Sequence, residues 1–283
     1  MFFYSITISL GLLLAACDPK PVTPPDNKPG EGQDTNSVAQ VATFITTADN
    51  TMHFSSVKKN FSEGLNMQPE QTLTINPNQR YQTFDGFGAA ITGASSYNLL
   101  RMPAERRTKL LKETFSVKDG MGYSYVRVPI GGSDFNARSN YDYTCCDTKG
   151  IENFALTSDE VDYIIPVLKE ILAINPDLKV MGTPWSCPRW MKVADVHKKT
   201  PYDGWVGGYL NPDYYQDYAT YFVKWIQAFE AEGIHITSVT VENEPLNWGN
   251  SMSLYMPWDQ ERDFVKLALG PAFKKAGLDT KII

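Results

Sequence analysis

Thr237-Ser238-Val239-Thr240-Val241-Glu242-Asn243-Glu244-Pro245 is the stretch on which the fold reading turns. Its β-branched residues suit a half-buried pleated strand. The run then stops at two carboxylates, an amide and a proline, which fixes one backbone dihedral and ends the strand. Similar short apolar runs come earlier, at 83–91, 123–129 and 178–183, and residues 280–283 read as the opening of a fifth. Helical stretches separate them. The first covers about 103–115, with Pro103 at its start. The second covers 158–175, with Thr157 and Glu160 as a capping box and Pro166 expected to kink it. The third covers 212–232, with Asn211 as N-cap and Gly233 as the stop. The fourth covers 259–275 and is interrupted by Gly270-Pro271. Tyr215, Tyr218, Phe222, Trp225, Ile226 and Phe229 recur at helical spacing and predict a core-facing stripe.

Strand and helix alternating four times, then a fifth strand, imply an α/β fold with parallel strands and helical crossovers. An open doubly wound sheet and a closed barrel both fit that alternation. No Gly-x-Gly-x-x-Gly follows the first strand, so a dinucleotide site has no support. Polar and aromatic residues gather instead at the C-terminal strand ends, where barrel enzymes place their chemistry.

The 283 residues are 42% hydrophobic and carry a net charge of −6. That is enough apolar material for one barrel-sized domain or two smaller ones. Lys and Arg are scattered, which argues against nucleic acid as a partner. Fifteen Tyr and six Trp suit a carbohydrate ligand, although aromatics also fill large cores. Cys145 and Cys146 are neighbours, a poor arrangement for a disulfide, whose Cα atoms normally lie ~4.4–6.8 Å apart. Cys187 stands alone, and no ligand spacing suggests a metal.

Residues 1–17 have an apolar run too short to span a bilayer. They read as a signal peptide. Leu14-Ala15-Ala16-Cys17 resembles a bacterial lipobox, with Cys17 the lipidated residue, although no Lys or Arg precedes the run. Residues 18–37 are rich in Pro, Gly, Asp and Asn and read as an extended tether. The expected location is the bacterial cell envelope, anchored to the outer or inner membrane and facing the periplasm or the cell surface. Residues 38–80 have strand character at 41–46 and 72–75, with turns at Asp49-Asn50 and Asn76-Pro77-Asn78.

Glycoside hydrolysis needs one carboxylic acid to protonate the leaving oxygen and a second carboxylate across the bond. Glu244 has the position for the first. Asn243 beside it could hold a sugar 2-hydroxyl, a contact that strengthens as the oxocarbenium ion develops. Asp134 follows Gly131-Gly132 in a loop after the second strand, and Trp185 ends the third. Glu242 points opposite to Asn243 in an extended chain and reads as support.

From Phe84 onward the chain resembles glycoside hydrolase family 30, which includes glucosylceramidases and bacterial β-1,6-glucanases. The resemblance rests on Phe84-Asp85-Gly86-Phe87-Gly88-Ala89-Ala90-Ile91-Thr92, Arg127-Val128-Pro129-Ile130, Ser133-Asp134-Phe135, Pro184-Trp185-Ser186-Cys187-Pro188-Arg189-Trp190-Met191-Lys192 and Glu242-Asn243-Glu244-Pro245. Glu261-Arg262-Asp263-Phe264 and Leu269-Gly270-Pro271 add to it. It implies a (β/α)8 TIM barrel over 81–283, here about its first half, with 38–80 supplying N-terminal strands of a side β-sandwich. It implies a retaining β-glycosidase without cofactor or metal, acting on a β-glucoside, β-glucan or glucosylceramide. Glu244 would be the acid/base, Asn243 the 2-hydroxyl contact, and Asp134 and Trp185 the lining of the glycone pocket. Arg127 would orient carboxylates from below, and a purely structural ion pair is its alternative. Trp190, Trp205 and Trp248 are candidates for outer subsites. The nucleophile would be a second Glu at the end of strand seven, outside this sequence, so the chain is expected to be truncated. An inactive fragment acting at most as a sugar-binding surface lipoprotein is the competing expectation.

Overall fold

The computed structural model describes residues 40–49, 51–52, 55–60, 76–138, 147–249 and 252–283. The leader, Cys17, the tether, the strand expected at 72–75 and the Cys145-Cys146 pair lie outside the described residues. The chain divides into two compact units, Met1–Tyr81 and Gln82–Ile283. In the first, β1 (Gln40–Ile45) pairs antiparallel with β2 (Ser55–Asn60), from Gln40 opposite Asn60 to Ile45 opposite Ser55. The Asp49 carboxylate accepts the Thr51 amide at 3.1 Å in the connection, the local bonding expected of a turn aspartate.

Among its described residues the second unit holds five parallel strands: β3 (Gly88–Ala90), β4 (Tyr125–Ile130), β5 (Lys179–Pro184), β9 (Ile236–Val239) and β10 (Lys281–Ile282). Each lies beside the one before it. A doubly wound sheet reverses its order at a switch point, whereas a barrel adds strands in sequence. The order therefore chooses the barrel of the two architectures that the alternation allowed.

Asn211 caps the 3-10 turn Pro212–Tyr214 that leads into helix α4 (Tyr215–Ala231), its side chain accepting the Asp213 amide, and the chain leaves α4 through Gly233 at φ +78°. The whole apolar stripe of α4 is buried, from Tyr215 to Phe229. Helix α3 (Ile165–Ile174) is preceded by a wide π turn at Glu160–Ile164. Pro166 has no N–H for the carbonyl of Asp162, and the chain widens so that the Ile165 amide reaches Glu160 instead. Pro271 acts alike between α5 (Trp258–Phe264) and α6 (Gly270–Ala276), with a π turn at Val265–Leu269. The carbonyl of Leu267, which Pro271 deprives of a donor, takes the Gln216 side chain at 3.0 Å.

Three features differ from the sequence reading. The first strand is only three residues long, and Thr92 begins a new helix, α1 (Gly93–Arg101), by a reciprocal cap with Ser95. Helix α2 (Ala104–Phe115) then follows as expected. Beyond β5 the chain makes a small antiparallel sheet of β6 (Lys192–Asp195), β7 (Thr200–Pro201) and β8 (Tyr209–Leu210) before entering α4. The β9 ladder stops at Val239, so 240–244 extends past it.

Glu160 joins these layers. Fully buried, it accepts the Thr157 amide and hydroxyl at 2.7 and 2.8 Å through one oxygen. The other takes the Gly131 amide at 2.9 Å and the Trp225 indole N–H at 2.6 Å. The loop after β4, the start of the α3 segment and the middle of α4 thus meet on one carboxyl. Trp225→Phe keeps an aromatic ring but removes the donor and leaves part of the buried indole volume empty. It should cost the full-length protein about 2–4 kcal/mol, read from the shift in its urea unfolding midpoint.

Candidate active site

The site is assembled around Arg127. On β4 it lies opposite Met181 of β5. Its Nε donates to Thr183 Oγ1 at 3.1 Å, and its Nη2 donates to Asn243 Oδ1. Thr183 also receives the Thr240 hydroxyl at 2.9 Å. The guanidinium carbon stands 4.5 Å from the centre of the Trp185 ring, a cation–π distance. One side chain thereby touches the ends of three strands.

Burial pulls the Arg127 pKa below its ordinary value, while the charges of Asp134, Glu244 and Glu242 draw it back up. Those three carboxylates therefore share one electrostatic neighbourhood.

Asp134 is exposed at the tip of a loop that is fixed at its base. Gly131 enters it at φ +77°, a conformation that glycine adopts without steric cost, and its amide is held by Glu160. The Asn136 side-chain amide accepts from the Ser133 N–H at 2.9 Å and donates to the Ser133 carbonyl at 2.6 Å, and the Ala137 amide donates to Asp159 at 2.7 Å. Trp185 is 5% exposed, and its indole nitrogen has no hydrogen-bond partner among the described residues.

Glu244 is exposed and opens a tight turn. Its carbonyl accepts the Asn247 amide at 2.8 Å, with Pro245 at the position where a preset φ favours such turns. Its carboxylate accepts Asn247 Nδ2 at 2.6 Å. Asn247 Oδ1 in turn accepts the Gly249 amide at 2.9 Å, which fixes the orientation of the amide. Glu242, two residues earlier, is 6% exposed; one oxygen takes the Asn243 amide at 3.2 Å and the other has no partner among the described residues. Burial pushes its pKa well above the usual carboxylate range, against the bond from Asn243 and the charges of Lys192 and Arg127.

The structure therefore brings Arg127, Asn243, Trp185, Asp134 and Glu244 to the C-terminal ends of β4, β5 and β9. Cys17 lies outside the described residues. Sequence reasoning passed over Asn247, whose three-residue spacing from Glu244 was the available signal. It also missed Lys192, a buried lysine between apolar residues, and the second use of Glu160. Cys187 is buried, which pushes its thiol up to about 12 and keeps it a thiol.

Residues 84–283 match the glycosyl hydrolase family 30 TIM-barrel domain. The chain belongs to glycosyl hydrolase family 30. Among curated proteins it is 32% identical to an endo-1,6-β-D-glucanase of Neurospora crassa over 86% of this chain and 51% of that protein. It is 31% identical to the lysosomal acid glucosylceramidase of Mus musculus over 75% of this chain and 41% of that protein. Among solved structures, the endo-β1,6-glucanase BT3312 aligns with a TM-score of 0.77 and 60% identity, over 85% of this chain and 51% of that one. The chain spans about half the length of the curated relatives it matches.

The raised pKa of Glu242 gives stability a defined pH dependence. Its folded pKa lies above the reference value of 4.5. Its favourable contribution is thus complete below that value and is lost as pH rises through the folded pKa. In the full-length protein Glu242→Gln, which cannot ionise, should gain stability relative to the parent as pH is raised from about 4.5 to about 8. Paired urea melts at the two ends of that range read the difference; a gap that does not change with pH would refute it.

Proposed function

We propose that the full-length protein is a retaining β-glycosidase of family 30 that cleaves β-1,6-linked glucan, with Glu244 as acid/base. The single observation that carries this reading is the Arg127 cluster. One guanidinium bonds Asn243, stacks on Trp185 and lies within electrostatic reach of Asp134 and Glu244. Glu244 would protonate the glycosidic oxygen as the bond to the leaving sugar breaks, then take a proton from the water that releases the glycosyl intermediate. Asn243 would hold the sugar 2-hydroxyl. Asp134 would accept bonds from other hydroxyls, and Trp185 would line the glycone pocket. A carboxylate nucleophile roughly 5–5.5 Å from Glu244 is required, and a later strand of the full-length barrel would supply it.

The choice of glucan over glucosylceramide rests on likeness. The solved β1,6-glucanase is 60% identical to this chain, whereas the mouse glucosylceramidase is 31% identical. The β1–β2 pair would contribute to the side β-sandwich. Glu244→Gln should lower turnover about 10²–10⁴-fold on glucan and far less on an aryl glycoside with a good leaving group, which needs little protonation. Equal losses on both substrates would remove Glu244 from the acid role.

We also propose that Cys17 carries a lipid and holds the enzyme at the cell envelope, on the strength of Leu14-Ala15-Ala16-Cys17 and the Pro-rich stretch behind it. Cys17→Ser should then move the protein from the membrane fraction to the soluble fraction on a blot of fractionated cells. Retention of the variant in the membrane fraction would contradict the anchor.

A further inference from the structure

Three tryptophans stood as candidates for outer sugar subsites, and their surroundings separate them. Trp190 is half-buried and packs edge-on against Tyr214 at 5.0 Å. Trp205 lies under the Arg189 guanidinium at 4.9 Å. Trp248 is 45% exposed, four residues after Glu244.

An indole is among the largest apolar groups a protein can bury, so an exposed one on a firm mount beside a polar site calls for an occupant. The mount under Trp248 is firm. Its ring leans on Tyr209 and Tyr255, each at 5.4 Å, and these two meet each other at 5.5 Å. Gly207 sits against the indole at φ +71°, and an added Cβ there would fall 2.9 Å from the ring. The Gly207 amide is held by Ser253 Oγ at 2.8 Å. Its carbonyl goes to Lys192, whose buried ammonium also binds the carbonyls of Gly204, Trp205 and Ser253 at 2.8–3.2 Å. Backbone bonds from Ser253 to Trp205 and from Tyr255 to Gly208 close the frame. One lysine thus ties together the two segments on which the indole rests.

The location follows from the turn at Glu244. Asn247 bonds the Glu244 carboxylate, and Trp248 is the next residue. An acid/base delivers its proton to the oxygen that joins the leaving sugar, so a ring carried on the acid's own loop stands on the leaving-group side. We propose that Trp248 is the stacking platform for the leaving-group sugar of a β-linked gluco-oligosaccharide. This inference rests on the glycosidase reading and adds to it the residue that grips the departing half of the chain. A face presented by a fixed aromatic loses little conformational entropy on binding, and a pyranose offers a flat apolar face of matching size.

The test compares two substrates in the full-length protein. A β-1,6-linked glucotetraose places sugars on both sides of the cut, whereas β-gentiobiosyl fluoride places nothing beyond it except fluoride. In Trp248→Ala the ratio of kcat/KM for tetraose over fluoride should fall about tenfold, equivalent to about 1.4 kcal/mol of lost binding. Trp248→Phe, which keeps an aromatic face, should retain most of the ratio. A parent protein inert on both substrates would bring down the glycosidase reading and this inference with it. An active parent whose ratio is unchanged in Trp248→Ala, or whose two activities fall equally, would overturn the platform alone.

Discussion

A guanidinium cannot be moved half out of water without compensation, and the ends of β4, β5 and β9 are arranged to provide it for Arg127. Taking an ion from water costs several kcal/mol even after the surroundings relax. Here the return comes from two neutral oxygens, one aromatic face and three nearby carboxylates. Asn243 and Trp185 hold Arg127 directly, while Asp134 and Glu244 remain exposed within its field. The exposed carboxylates thereby stand above a positive charge that is itself fixed in place by its neighbours.

Around that centre the supporting groups are buried and heavily bonded. Glu160 collects four donors and sets the base of the Asp134 loop. Lys192 meets four backbone carbonyls and sets the frame beneath Trp248. Both lie deep in the protein, and burial shifts each toward its neutral form. Their bonding offsets that pressure and leaves the loops they serve little freedom. Positions on loops become accurate enough for chemistry when residues behind them are locked in this way.

Much of this arrangement was legible in the sequence, because it depends on local periodicity. The α4 stripe, the Asn211 cap and the Gly233 stop are written in consecutive residues, as is the Thr157–Glu160 pair. Alternating strands and helices alone fit two architectures equally well, and the in-order sheet of a barrel was legible only through the strand-end motifs and the family they resemble. Helix α1 was hidden because Thr92 caps with a Ser at the third position rather than the Glu or Gln that makes the signature readable. The β6–β8 sheet has strands of two to four residues, too short for a period. The roles of Glu160 and Lys192 depend on partners up to 65 and 61 residues away, which no local pattern encodes. Of the candidate site, the strand-end residues were readable from motif order, while Asn247 and the mount of Trp248 required the folded backbone.

One contact below the site bears on how such a sheet comes to bend. The Tyr125 hydroxyl on β4 meets Ser238 Oγ on β9 at 2.7 Å, reaching over β5. Adjacent strands lie roughly 4.8 Å apart, so the backbones that carry these two side chains are about 10 Å apart, and alternate strands supply each inner layer of a barrel. The hydroxyl pair acts as a tie rod across an arch: it favours one radius and resists flattening. An arc held by such a tie offers the neighbouring strands a trough of defined curvature, and closing a sheet into a barrel requires strand tilt and stagger that match it.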